Sequence, residues 1–231
     1  MATNPKVLVV DDDPQIHRFL RPSLSLAGYD VLSALNGASG LEMLAAQTPD
    51  VILLDLGLPD TDGKNVILQI RTISKVPIIV LSARDQEDEK ISSLDLGAND
   101  YVNKPFGIGE LTARIRTALR RSYSAPDESG IYLCGNLRVD TLKHLVTLDD
   151  KPIHLTPKEF DVLLLLVRHA GLVLTHGQIL GRVWGPEHMR DTQYLRVLMG
   201  RLRQKIEGEV SETKLIVNEP GIGYRIAWPQ T

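Results

Sequence analysis

Residues 6–13 read Lys6, Val7, Leu8, Val9, Val10, Asp11, Asp12, Asp13, the string KVLVVDDD. Four large aliphatic residues in a row, three of them β-branched, suit a strand covered on both faces and are too few for a buried helix. The carboxylates end that strand, because unpaired acids do not continue a core. Asp13 stands directly before Pro14, the arrangement of a helix N-cap with proline at the first helical position. Strand, acidic turn and helix thus follow one another without a gap.

The same order recurs outward from this stretch. Apolar runs at 29–34, 51–54, 77–81 and 101–102 alternate with amphipathic stretches at 14–27, 37–47, 64–73, 87–96 and 108–120. Such alternation predicts an α/β domain, a parallel sheet with helices on both faces. In an open parallel sheet, ligands bind outside the carboxyl ends of the strands, at the point where strand order reverses. Asp11 and Asp12, Asp55, Ser82 and Lys104 follow four different runs, so residues far apart in the chain converge on one edge.

Asp13 as a cap accounts for one carboxylate of the acidic turn, not for three. At about 4 Å and an effective dielectric near 20, a like-charge pair costs roughly 4 kcal/mol. Asp11 and Asp12 beside Asp55 must therefore raise a pKa or recruit a cation, and Mg²⁺ suits a set of hard oxygen ligands. Asp55, at a strand end next to a cation, is placed to attack phosphorus and form an aspartyl phosphate. Lys104 offers a point charge to the phosphoryl group and Ser82 a hydroxyl donor. A lone surface lysine or a serine after a strand is ordinarily solvated or a turn residue; the common position past successive strands is what joins them. Lys104 precedes Pro105, where a cis peptide would turn the lysine into the site.

Two other phosphate chemistries fail on the letters. A phosphate-binding loop over 57–64 needs four residues between its glycines and Ser or Thr after the lysine; here five separate Gly57 from Gly63, and Asn65 follows Lys64. An aspartate-nucleophile phosphatase needs a second carboxylate two residues after Asp55 as acid and base, and that position is Gly57.

The strings VVDDD, LLDLGLPDTDG, VLSA and YVNKPF resemble the receiver domain of two-component response regulators, over essentially all of residues 1–121. The resemblance implies a flavodoxin-like, doubly wound, five-stranded parallel sheet in the order 2-1-3-4-5. It implies that Asp55 takes a phosphoryl group from a sensor histidine kinase, with Mg²⁺ held by Asp11, Asp12, Asp55 and the Gly57 carbonyl. Ser82 and Tyr101 form the switch, and Lys104 contacts the phosphoryl group. The family dimerises through ion pairs on one face, and Lys90, Asp95, Asp100, Glu110, Arg114 and Arg116 occupy the matching positions; Asn99 departs, lacking the acid often found there. On this likeness the chain is a self-phosphorylating switch rather than an enzyme, with at most slow phosphotransfer.

Composition bounds the rest. With 231 residues, 43% hydrophobic and 24% charged, the chain buries more than one core. No apolar run is long enough to span a bilayer, so a soluble, cytoplasmic protein is expected, and the single Cys134 excludes an internal disulfide. Residues 122–130, SYSAPDESG, read as a linker. Beyond it come short alternating segments at 131–133, 137–139 and 145–148, three helices, and a strand pair around Gly221 and Gly223. Thr156 and Glu159 form a capping box for a helix at 157–168, and Thr175 opens a helix at 177–184 in which Trp184 is packing rather than a base-stacking platform.

The net charge of −3 argues against nucleic acid until it is divided. Residues 1–121 hold 13 Lys and Arg against 16 Asp and Glu, leaving 13 against 13 for the remainder. Within that neutral half, Arg190, Arg196, Arg201, Arg203 and Lys205 face only Asp191, on a helix at 191–206 whose apolar stripe is Leu195, Leu198, Leu202 and Ile206. A local basic stripe is what a groove-binding helix requires, although an exposed amphipathic helix also carries charge. The strings LTPKEFDVLLLL, LRQKIE and GIGYR resemble the winged-helix effector domain of OmpR/PhoB transcription factors, over about 131–228; the expected division is a receiver at 1–121, a linker at 122–130 and a DNA-binding domain at 131–231. That resemblance implies an α+β winged-helix DNA-binding domain whose helix 191–206 enters the major groove of promoter double-stranded DNA, with Arg225 on a wing. RNA polymerase and a phosphorylation-dependent homodimer are the further partners implied, and no membrane. KPFGIGELTAR, VWGP, YLR and MGRLRQKIE resemble the potassium-uptake branch of the family. The competing class is a phospho-regulated adaptor that docks proteins without reading DNA.

Overall fold

The structure, a computed structural model, describes residues 4–83, 87–123, 130–207 and 215–227. It divides into two compact units, Met1–Arg120 and Arg121–Thr231.

In the first unit β1 (Lys6–Val10), β2 (Asp30–Ala34), β3 (Val51–Asp55), β4 (Ile78–Ser82) and β5 (Asp100–Asn103) form one parallel sheet in the order β2-β1-β3-β4-β5. Between them run α1 (Pro14–Leu26), α2 (Gly37–Gln47), α3 (Gly63–Ile73), α4 (Glu87–Asp95) and α5 (Ile108–Tyr123). The chain leaves β1 outward to β2 and returns across it to β3, so order reverses between β1 and β3 and a crevice opens at their carboxyl ends. β4 and the interior of β1 and β3 are buried on both faces. Val7, Val9, Leu53, Ile79 and Leu81 pack with Leu20 and Leu24 of α1 and Leu111 and Ile115 of α5.

Local chemistry fixes where the helices begin. The Asp13 carboxylate accepts the Gln15 N–H at 2.7 Å, with Pro14 following. Asn36 caps α2, and Asp60 adds both carboxylate oxygens to the N–H groups of Gly37 and Ala38, each at 2.9 Å. Those bonds hold the Asp60 carboxyl below its ordinary value. Gly63 opens α3 against the end of β3, where a Cβ would lie 2.5 Å from the Asp55 carbonyl oxygen and 2.7 Å from Leu56 Cα.

The second unit begins with an antiparallel sheet of β6 (Ile131–Cys134), β7 (Leu137–Asp140), β8 (Leu145–Leu148) and β9 (Lys151–Ile153). Then come α6 (Pro157–Arg168), β10 (Leu174–Thr175), α7 (His176–Val183), a 3-10 turn Pro186–His188, α8 (Thr192–Ile206), β11 (Ile216–Glu219) and β12 (Gly223–Ile226). β12 lies between β10 and β11. The expected capping box forms at Thr156 with Glu159, and a second forms at Thr175 with Gln178. The core gathers Phe160, Leu163 and Val167 of α6, Ile179 and Leu180 of α7, and Leu195, Met199, Leu202 and Ile206 of α8, with Ile216, Tyr224 and Ile226. Cys134 sits in this core, and burial pushes its thiol up to about 11.

Some boundaries move from the sequence expectation. α5 runs through Tyr123, so residues 122 and 123 of the expected linker are helical, and 124–129 lie outside the described residues. α8 starts at Thr192, with Asp191 as the residue before it. β9 and β10 were not foreseen: one is three residues long with Pro152 at its centre, the other only two, too short for alternation to show.

Gly223 pairs with Thr175 across the β10–β12 ladder, and a Cβ there would overlap the Leu174 carbonyl oxygen and sit 2.9 Å from Thr175 Cα. Backbone cannot yield as a side chain can, so Gly223→Ala is expected to lower stability by about 3 kcal/mol. At Gly200, inside α8, nothing lies within 4 Å of an added Cβ. Gly200→Ala should raise stability by about 1 kcal/mol through helix propensity, and urea unfolding of both variants measures the contrast.

Candidate functional site

The reversal of strand order brings the expected residues together. Asp11 follows β1, Asp55 ends β3, and Lys104 follows β5; ligand oxygens of Asp11, Asp12 and Asp55 lie within 4.8 Å of one another. The Lys104 ammonium donates to Asp11 Oδ2 at 2.7 Å and to Asp55 Oδ2 at 2.9 Å. Its backbone N–H donates to the Ser82 carbonyl at 2.7 Å, and the Lys104–Pro105 peptide is cis. Ser82, the last residue of β4, is buried, and strand register sets it one residue beyond the partner of Asp55.

Asp11 is wholly buried, and burial raises its carboxyl above the ordinary aspartate value against the bonds from Lys104 and Asp13 N–H. Burial also works against the Lys104 charge, but the hydrogen bonds to Asp11 and Asp55 overcome it and hold the ammonium above its usual value. Both shifts have one origin, a single cation shared by two acids. Three carboxylates and one ammonium leave two negative charges, the complement of a divalent cation. Asp12 is exposed, so water can complete an octahedral shell, as Mg²⁺ requires. The donor set fits that ion.

Neighbouring groups stiffen the site. The Asp11 carbonyl accepts from His17 Nε2 at 2.7 Å, a contact the sequence did not disclose because His17 lies a helical turn away on α1. Lys64 of α3 pairs with Glu89 of α4 at 2.9 Å, and the Lys90 ammonium of α4 lies 5.3 Å from the centre of the Tyr101 ring.

In the second unit α8 buries Leu195, Leu198, Met199, Leu202 and Ile206 and exposes Arg196 and Arg201. A family described as response regulator receiver domain matches residues 7–116, and one described as transcriptional regulatory protein, C terminal, matches 150–226. The KDP operon transcriptional regulatory protein KdpE of Escherichia coli is 46% identical over 95% of this chain and 97% of its own length. The transcriptional regulatory protein KdpE of Mycobacterium tuberculosis is 44% identical over 95% and 97%. The chain is an OmpR/PhoB-type response regulator.

A solved response regulator, DrrB of Thermotoga maritima, described as an OmpR/PhoB homolog, aligns with 97% of this response regulator and 99% of its own chain, at TM-score 0.51 and 30% identity. The five-stranded receiver and the C-terminal DNA-binding domain follow from membership, and the protein is a transcriptional regulator. No helix among the described residues is long and apolar enough to cross a membrane.

The structure places the expected DNA-contact residues of this response regulator in two groups. Of the six expected DNA contacts, Arg190, Arg196 and Arg201 are exposed and form no ion pair among the described residues. Arg203 instead donates from Nε and Nη2 to the Ile216 carbonyl, at 3.3 and 2.9 Å, and stacks 5.8 Å from the Tyr224 ring centre. Lys205 bonds Glu159 at 2.6 Å, and Arg225 pairs with Glu219 at 2.8 Å. These three cations are neutralised or consumed inside the domain.

Residues of the expected dimer face also have internal partners. Asp100 is buried and held by Arg114 Nη1 at 2.9 and 2.7 Å, while Arg114 also bonds Glu110. Burial opposes the Arg114 charge, but Asp100 and Glu110 raise its pKa. Arg116 is two residues from Arg114, about 200° around the helix, and lies near Tyr29, whose phenol it lowers against the rise caused by burial. It is therefore on the α1 side, away from Lys90, Asp95 and Glu110. Asn99 is also committed internally: its Oδ1 accepts from Ile78 N–H at 2.8 Å and Arg71 Nη2 at 3.0 Å.

Truncating one partner of a buried ion pair costs about 3 to 5 kcal/mol, and the partial exposure of Lys104 lowers that to about 2 kcal/mol. Lys104→Met is expected to show this deficit at neutral pH in urea unfolding. Losing Lys104 pushes the already raised Asp11 higher; a raised carboxyl adds stability as pH falls through its folded value, so the deficit should narrow on acidification.

Proposed function

We propose that Asp55 is the phosphoacceptor of this regulator, and that an acyl phosphate formed there controls promoter binding by the second domain. The observation carrying the proposal is the single ammonium of Lys104 bridging Asp11 and Asp55 at 2.7 and 2.9 Å across the carboxyl ends of the sheet. An oxygen of Asp55 attacks the phosphorus of a phosphohistidine on a sensor histidine kinase; the phosphorus–nitrogen bond breaks and the imidazole leaves. Asp11, Asp12, Asp55 and the Gly57 carbonyl would hold Mg²⁺, which would supply charge neutralisation for the phosphoryl oxygens. Lys104 transfers a hydrogen bond from the Asp55 carboxylate to the new phosphoryl group, and the Ser82 hydroxyl donates another.

The added charge is read by Tyr101, whose ring lies below Lys90. As Ser82 shifts toward the phosphoryl group, Tyr101 turns inward and uncovers Lys90. That ammonium then meets Glu110 of a second copy, and Asp95 extends the same face of the homodimer. Two copies suit paired half-sites, with each α8 in a major groove and RNA polymerase as the next partner. The likeness to the KDP operon regulators favours potassium-uptake genes as targets, in the cytoplasm.

Asp55→Asn is expected to reduce Mg²⁺-dependent labelling by a small phosphodonor to background without loss of fold. Labelling at the wild-type level would move the acceptor elsewhere. For DNA, Arg190→Ala, Arg196→Ala and Arg201→Ala should each reduce the slope of log affinity against log salt by about 0.9. Arg203→Ala should leave that slope nearly intact and lower stability by about 1 to 2 kcal/mol, since it strands the Ile216 carbonyl. Salt titrations on duplex DNA, paired with urea unfolding, separate the two outcomes.

A further inference from the structure

The buried stripe of α1 carries a histidine. His17 shares its helical phase with Leu20 and Leu24, three and seven residues on, and both leucines are wholly buried. An aliphatic side chain at 17 would bury more apolar surface. A histidine on such a stripe is ordinarily explained by its own satisfied hydrogen bonds. His17 is not: Nε2 meets the Asp11 carbonyl at 2.7 Å, while Nδ1 is buried with no partner among the described residues. A carbonyl only accepts, so Nε2 carries the proton and donates.

That bond falls on the peptide between two of the acidic residues. The ladders of β1 end at Val10, opposite Ala34 and Leu54, so the Asp11 carbonyl lies one residue past the last pair. A polar backbone group at a buried residue needs a partner, and His17 supplies it from α1. The other polar groups of Asp11 are held as well: its N–H reaches the Ala34 carbonyl at 3.1 Å, and its carboxylate takes the Asp13 N–H at 3.0 Å and the Lys104 ammonium at 2.7 Å. Asp12 is different. It is exposed, and its carboxylate has no hydrogen bond or ion pair among the described residues. Backbone alone aims it, and the peptide that sets its direction is the one His17 grips.

We propose that His17 is a positioning residue for the metal site: its Nε2–H fixes the Asp11–Asp12 peptide and thereby keeps the Asp12 carboxylate within reach of Asp11 and Asp55. This rests on the reading of those three carboxylates as the Mg²⁺ ligands. Groups that orient metal ligands without touching the ion commonly govern affinity by about 10- to 100-fold. Here the oriented ligand is the one with least support of its own.

Mn²⁺ accepts the same oxygen ligands as Mg²⁺, and electron paramagnetic resonance counts its free form, so binding to the full-length protein is measured apart from any labelling. His17→Leu keeps the stripe apolar and removes the donor. It is expected to weaken Mn²⁺ binding about tenfold, and to raise by the same factor the Mg²⁺ concentration that half-saturates labelling by acetyl phosphate, with the saturated rate near wild type. His17→Gln places an amide N–H at the reach of Nε2 and should stay within about twofold of wild type. His17→Asn, whose amide reaches only as far as Nδ1, should behave as His17→Leu. Wild-type Mn²⁺ affinity in His17→Leu overturns the inference, including the case in which only its urea midpoint falls. So does a loss in His17→Gln as large as in His17→Leu, because ring packing rather than the N–H would then be at work. If the wild type binds no Mn²⁺, or Asp55→Asn keeps wild-type labelling, the failure belongs to the reading of the pocket itself, and the inference falls with it.

Discussion

One ammonium lies between two carboxylates that its own strand does not supply. Asp11 is fully buried, and its charge is tolerable there only because Lys104 approaches to 2.7 Å while also holding Asp55 at 2.9 Å. The three residues come from β1, β3 and the turn after β5, so the contact draws together strands that are not all neighbours in the sheet. The site is then balanced rather than saturated. Any phosphoryl group placed on Asp55 competes for the same ammonium, and the backbone bond from Lys104 to the Ser82 carbonyl makes the end of β4 part of the response.

The second domain shows the opposite use of cations. Around Ile216 both backbone groups are taken: its N–H donates to Glu207 at 2.7 Å and its carbonyl accepts from Arg203. The carboxyl end of α8 is thereby fixed to β11, and Lys205 fixes the same turn to the capping box of α6 through Glu159. Burial raises the Glu159 carboxyl, but the bonds from Lys205 and Thr156 N–H win and lower it. Two basic residues, Arg203 and Lys205, thus hold the angle of α8 against the rest of the domain. The cations that remain outward, Arg190, Arg196 and Arg201, lie toward the amino-terminal two-thirds of α8 and the loop before it.

These two uses explain what was legible in the letters. The receiver sheet was, since β1, β3 and β4 are nearly continuous aliphatic runs and a candidate site residue stands at or just past the end of each; position along the chain was nearly position in space. The helices of the second domain were, since Thr156 with Glu159 and Thr175 with Gln178 mark their starts chemically. Partner choice was not. Arg196 and Arg203 are the same residue seven positions apart on one helix, and nothing local says that one meets Ile216 while the other meets solvent. Arg114 and Arg116 differ likewise: helical phase puts them on different sides of α5, and only the neighbouring Asp100 and Tyr29, brought by the sheet, settle what each does.

Withheld charge is also the physical basis for a switch. On the α4–β5–α5 face, Arg114 is committed to Asp100 and Glu110, and Lys90 rests over an aromatic ring rather than in water. A surface whose cations are already satisfied gains little from a second copy, because exposed ion pairs contribute only about 0 to 1 kcal/mol each. On the proposed dimer reading, Lys90 must leave its internal partner before it can pair with a second copy. Tyr101 is the economical place for that rearrangement: it pairs in register with Val80, two residues before Ser82, so a shift at the end of β4 reaches the ring through adjacent backbone. Ser82 and Tyr101 are thus joined by one pair of hydrogen-bonded strands, β4 and β5.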